Sequence, residues 1–330
     1  PNYREGYTTD DNARALMVSV LLEELGNTEA IDLSTRYLAF IWYAFNVKTR
    51  RFRNFMDYQR NWLEDSGSDD SHGRALWALG AVLGRSATPT LQNMAGRIFQ
   101  QSLLAILETT SPRAWAFALI GIHDYLQRFV GDRRISQVRD ELAGRLIALY
   151  QDNRLDEWCW FENQLTYCNA ALPHAMLLCG QSTSNVAMTN AGLEALNWLA
   201  DLQIADTEGR HFVPIGSNGF YQRGGERARF DQQPVEAQAM VSACLEANRI
   251  TGKKRWHKEA RCAFEWFLGR NDMHLPVYDP KTGGCRDGIH PDRLNENQGA
   301  ESTLAFLQAL LELSLAKNLI TSSEHKNNEQ

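Results

Sequence analysis

The sequence has no excess of basic charge. Its 330 residues carry 34 Lys and Arg against 40 Asp and Glu, a formal net charge of −6. The basic residues are dispersed apart from short runs such as Lys253-Lys254-Arg255 and Arg133-Arg134. Nucleic acid needs a concentrated basic face, so no nucleic-acid partner is expected. Long apolar runs are also missing: the longest, Ala116 to Ile120 with its neighbours, falls far short of the ~20 residues of a membrane span. The six cysteines, at 159, 168, 179, 244, 262 and 285, form no CxxC pair and suit free thiols in a reducing compartment. No signal-peptide pattern precedes Tyr3. No membrane partner and a cytoplasmic location are the matching expectations, although the chain begins with Pro1 rather than Met. Neither GxGxxG nor GxxxxGK[ST] occurs, nor HExxH or a Cys/His set at ligand spacing; Cys285 and His290 are the only suggestive neighbours. No cofactor and no metal are expected.

What is present is helical periodicity. Hydrophobic content of 44% and charged content of 22% are those of a globular protein with a sizeable core. Stretches apolar on almost every side, at 13–25, 73–84, 114–125, 168–179, 235–247 and 299–313, alternate with amphipathic ones at 31–46, 91–107, 135–150, 185–203 and 254–268. Buried helices alternating with half-solvated ones, at intervals of roughly 40 to 70 residues, are the pattern of repeated helix hairpins. The expectation is an all-α (α/α)6 toroid. It forms a single domain over 1–320, with a disordered polar tail at 321–330 and the one missing outer helix upstream of Pro1.

In such a ring the inner helices start at one end, where the long loops 151–163, 204–232 and 269–297 also gather. The stretches leading into the inner helices carry Tyr7, Asp10, Asp11 and Arg14; Asp70, His72 and Arg74; Trp158, Trp160, Glu162, Asn163 and Tyr167; Arg229, Asp231, Gln232 and Glu236; and Arg286, Asp287, His290 and Asn297. Aromatic rings stack on the apolar faces of sugars, while carboxylates, amides and Arg bind vicinal hydroxyls, so an oligosaccharide substrate is expected. N-capping alone would also explain Asp10, Asp70 and Asn297. Trp158 and Trp160 alternate beside Glu162 as a candidate sugar platform. Glu236, one turn deeper than Asp231, is a candidate buried partner for Arg14 or Arg74.

Cleaving a glycosidic bond needs a protonated carboxyl and a second carboxylate that activates water or attacks carbon. Glu162, flanked by Trp160 and Phe161, is the candidate acid, and Asp231 the candidate base, with Asp10 and Asp11 competing for that role. The segments Thr9-Asp10-Asp11-Asn12-Ala13-Arg14-Ala15, Asp70-Ser71-His72-Gly73-Arg74-Ala75-Leu76-Trp77, Trp160-Phe161-Glu162-Asn163 and Asp231-Gln232-Gln233-Pro234-Val235-Glu236 resemble the six-hairpin glycosidase-like domains of bacterial carbohydrate-active proteins. Some of those are fused to or encoded near glycosyltransferases and mannoside phosphorylases. The resemblance implies a six-hairpin toroid, a carbohydrate ligand and frequent inversion at the anomeric carbon; a gluco- or manno-configured oligosaccharide is the expected substrate and an upstream transferase domain the expected partner. It assigns no role residue by residue. Two other functions stay open: a sugar 2-epimerase using His72, His174, His211 or His290, and a carbohydrate-binding domain without catalysis.

Overall fold

The computed structural model describes residues 5–206 and 209–328. Eleven α-helices occur among them: α1 Thr9–Glu24, α2 Ala30–Ala44, α3 Asp69–Arg85, α4 Pro89–Ser102, α5 Pro112–Arg128, α6 Arg133–Asn153, α7 Ala171–Ser182, α8 Val186–Leu202, α9 Pro234–Thr251, α10 Lys254–Glu265 and α11 Ala300–Asn328. The chain forms two compact units, Pro1–Gln151 with Leu178–Thr189 and Asp152–Leu177 with Asn190–Gln330. Helix α11 runs through most of the stretch expected to be a disordered tail, and 329–330 lie outside the described residues.

The first unit shows why alternate helices are apolar all round. Helix α3 is buried from Ser71 through Leu83 and packs between α1 and α5, while α2 buries only a stripe, Ala30, Ser34, Leu38, Ile41 and Ala44. Helices α3 and α5 come together backbone to backbone. A methyl group on Gly80 would stand 2.1 Å from the Gly121 carbonyl oxygen, so the contact admits only glycine there. Backbone contact of this kind needs small residues, which is why Gly, Ala and Leu dominate α3 beyond Arg74.

Several helix starts lie earlier than periodicity alone indicates. Thr8 caps α1, its hydroxyl accepting from the Asp11 amide at 3.0 Å and donating to the Asp11 carboxylate at 2.8 Å. Ser68 caps α3 by accepting from the Ser71 amide at 3.1 Å. Asp10 and Asp70 therefore fall inside the first turn, where the helix dipole favours acids, and neither is the cap it could have been. Pro89, Pro112 and Pro234 open α4, α5 and α9, where a missing N–H costs nothing.

In the second unit the segment before α9 is fixed by a two-bond bridge. The Gln232 and Ile289 backbones exchange hydrogen bonds of 2.9 and 3.0 Å. Gly288 makes this possible, because at φ 154° a side chain there would be strained and would meet the Gln232 carbonyl at 2.1 Å.

Candidate functional site

In the first unit the starts of α1, α3 and α5 share one end, since Asp10 reaches Arg74 and the Asp70 carboxylate accepts from the α5 cap Ser111 at 2.5 Å. The Asp10 carboxylate accepts from Arg14 Nε on one oxygen and Arg74 Nε on the other, both at 2.7 Å. Arg14 and Arg74 are buried, and the Arg74 guanidinium lies 4.0 Å from the Phe117 ring centroid. Burial opposes ionisation of Asp10, but the two cations overcome it and hold the carboxyl below its ordinary value of 3.8. Asp10, Arg14 and Arg74, expected as sugar contacts, form a buried ion cluster joining α1 to α3.

His72 is fully buried against Phe52, and burial, then the Arg51 charge, push its pKa down to about 3. A neutral imidazole sealed in the core cannot meet a substrate, which corrects its placement among the binding residues. Asp11 stays partly exposed on Thr8. Tyr7 is 41% exposed and packs on Tyr58 at 5.0 Å and Phe40 at 6.4 Å between ring centroids. Phe40 in turn meets Trp62, and Trp62 meets Tyr43. Tyr7 was named from the sequence, but the rest of this aromatic surface was not, because those members come from α2 and the 55–62 excursion, which share no linear motif.

In the second unit several loop residues around α9 act as supports, while Asp231 and His290 form an accessible pair. Asp272 is the main support. Its carboxylate accepts from Arg229 Nε and Nη2, both at 2.9 Å, from Gln232 Nε2 at 2.7 Å, and pairs with His211 Nε2 at 2.7 Å. Burial raises its pKa and these donors, Arg229 first, lower it further, leaving it below the ordinary carboxylate value. Gln232 also accepts from Trp266 Nε1 at 2.8 Å. Gln232 is thus fully used within the protein and is not a sugar contact. Asp272 carried no signal in the sequence, standing forty residues beyond the loop it holds.

Glu236, buried in the first turn of α9, accepts from the Cys168 and Asn169 amides and from Asn169 Nδ2 at 2.9 Å, tying the start of α7 to that of α9. Trp158 and Trp160 are 4% and 0% exposed and pack against Trp198, so their faces offer no sugar platform. Trp158 Nε1 donates to the Glu162 carbonyl at 2.7 Å. Glu162 itself is partly exposed, so the apolar enclosure expected from Trp160 and Phe161 is incomplete. Asn163 and Tyr167 are exposed. Arg286 pairs with Glu296 at 2.8 Å, and Asp287 accepts from Asn297 and from the Gly299 amide at 2.8 Å, which caps the approach to α11.

Asp231 differs from all of these. Its Oδ1 stands 2.5 Å from His290 Nδ1, and the two side chains keep 34% and 25% of their surface exposed. An accessible carboxylate fixed by an imidazole can take a proton from water or relay one through the ring. Among the described residues no three His, Cys, Asp or Glu side chains gather at a spacing that would hold a metal.

No protein-family model and no curated protein matches the chain. Solved structures do. A cellobiose 2-epimerase from Spirochaeta thermophila superposes with a TM-score of 0.70 at 12% identity, covering 97% of this chain and 88% of that one. A sugar epimerase from a ruminal bacterium gives 0.69 at 11%, covering 95% and 88%. A GH76 α-mannanase from Bacteroides thetaiotaomicron gives 0.66 at 10%, covering 96% and 88%. The chain has the (α/α)6 toroid fold.

Proposed function

We infer that this toroid is a carbohydrate-active enzyme, a glycoside hydrolase acting on gluco- or manno-configured oligosaccharides with the two units working as one domain over 1–320. The observation that carries the reading is Asp231, one third exposed and oriented by His290 at the start of α9. Asp231 is the general base that activates water, and Glu162 the general acid. Inversion follows from those roles and asks for carboxyl groups about 6.5–9.5 Å apart. Three of the four histidines that an epimerase could use, His72, His174 and His211, are buried, while Glu162 and Asp231 are both partly exposed, which favours hydrolysis. The fold likeness to an α-mannanase and to a cellulase supports the same class. The finer expectations, a bacterial cytoplasmic protein joined to a glycosyltransferase, belong to the same proposal.

The Asp231–His290 pair also supports a second reading, sugar epimerisation with His290 as the proton carrier. Incubation with gluco- and manno-oligosaccharides in deuterated water separates the two. Hydrolysis yields shorter sugars with no exchange at carbon, and epimerisation yields an isomer of the same length carrying deuterium. Full activity in both E162Q and D231N would overturn the carboxylate scheme.

A further inference from the structure

The first unit carries a second concave site unrelated to the Asp231 region. A cavity of about 490 Å³ is lined by Phe45, Val47, Arg50, Arg97, Gln100, Gln101, Leu104 and Arg134. Three arginines face it and no carboxylate does, in a chain with a net charge of −6. Among the described residues none of the three guanidinium groups has an ion-pair or hydrogen-bond partner.

Each of these cations comes from a different element, and two of them sit where the backbone disfavours them. Arg50 closes the turn between the paired strands Phe45–Asn46 and Arg51–Phe52 at φ 58°, a left-handed conformation that glycine adopts at less cost. Arg134 stands in the first turn of α6, whose positive pole repels cations. The nearest acid in sequence, Asp132, is committed to capping the Arg134 and Ile135 amides, both at 3.1 Å, and to the Tyr125 hydroxyl at 2.9 Å. Arg97, Gln100 and Gln101 lie at i, i+3 and i+4 on α4, a helix without a single acidic residue, so one face presents a cation and two neutral amides with no negative charge.

We propose that this cavity binds a small molecule bearing a phosphate ester. Guanidinium forks match phosphate oxygens in pairs, the glutamine amides supply neutral donors, and Phe45, Val47 and Leu104 give an apolar wall for the esterified part. The volume suits a sugar phosphate. Binding there needs neither Asp231 nor Glu162, so it stands or falls apart from the hydrolase reading.

Calorimetric titration with glucose 6-phosphate, inorganic phosphate and glucose tests the site, with a short single-stranded oligonucleotide as a further arm. Saturable binding of the phosphate ester, weakened at least about tenfold in the R97Q/R134Q double variant, is expected. Arg50→Gly suits the left-handed turn while removing the whole side chain with its guanidinium, so it should weaken binding several-fold with an unchanged or higher melting midpoint. No saturable heat with either phosphate, equal affinity in all variants, glucose binding as tightly as its phosphate, or tighter binding of the oligonucleotide would each overturn the assignment.

Discussion

The starts of α1 and α9 look alike in sequence and differ in what their acids do. Both place an aspartate close to a helix start that leads into an apolar stem. At α1 the carboxylate of Asp10 is consumed by Arg14 and Arg74, which are themselves buried. At α9 the two arginine-like tasks of holding the loop fall to other groups: Asp272 takes Arg229 and Gln232, and Glu236 takes Cys168 and Asn169. Asp231 keeps a third of its side-chain surface exposed and is paired with His290. An acid becomes available for chemistry where neighbouring carboxylates carry the structural work.

Substitutions should separate the two positions. D231N is expected to lower turnover at least about hundredfold while moving the melting midpoint little, since its carboxylate supports no buried partner. D10N should do the reverse. It removes the carboxylate that two buried guanidinium groups share, and chemical denaturation should show a loss of about 3 kcal/mol. Equal stability loss in both variants would erase the distinction. Gly80→Ala, which forces a methyl group onto the α5 backbone, should cost about 2 kcal/mol and leave turnover of the folded protein intact.

The acid limb of stability gives a smaller, signed test. His72 has a folded pKa of about 3 against 6.5 for an ordinary His. Its contribution is therefore complete above pH 6.5 and declines as pH falls toward 3, by about 1.4 kcal/mol per unit while the unfolded chain alone is protonated. Asp10, with its pKa depressed below 3.8, contributes fully above the unfolded value and loses that contribution only in more acid solution. Denaturation curves between pH 4 and 6.5 should thus steepen through His72 and not through Asp10. Loss of that slope in D10N but not in His72→Asn would contradict the assignment. Proton resonances of the His72 ring should not titrate between pH 5 and 8.

Hydrophobic periodicity made the eleven helices legible, because an inner helix touched on every side cannot hide its composition. Helix starts were less legible: Thr8 and Ser68 hold the first turns through short-range hydrogen bonds that periodicity does not register. Asp231 and His290 could be named as candidates from residue type, but their pairing spans 59 positions. Trp158 and Trp160 misled for the opposite reason. Their alternation looked like an exposed loop, yet Leu155 and Trp158 turn back on each other and send both rings inward. Asp272 and the packing of Tyr58 and Phe40 on Tyr7 were invisible, since each exists only where separate segments meet.

Turnover of D231N on gluco- and manno-oligosaccharides, measured together with its affinity for the same sugars, bears most directly on Asp231 as the reacting carboxylate. A fall of at least about hundredfold with affinity within about threefold of the unsubstituted protein is predicted. Undiminished turnover in D231N, or an unsubstituted protein that binds these sugars and converts none of them, would contradict it.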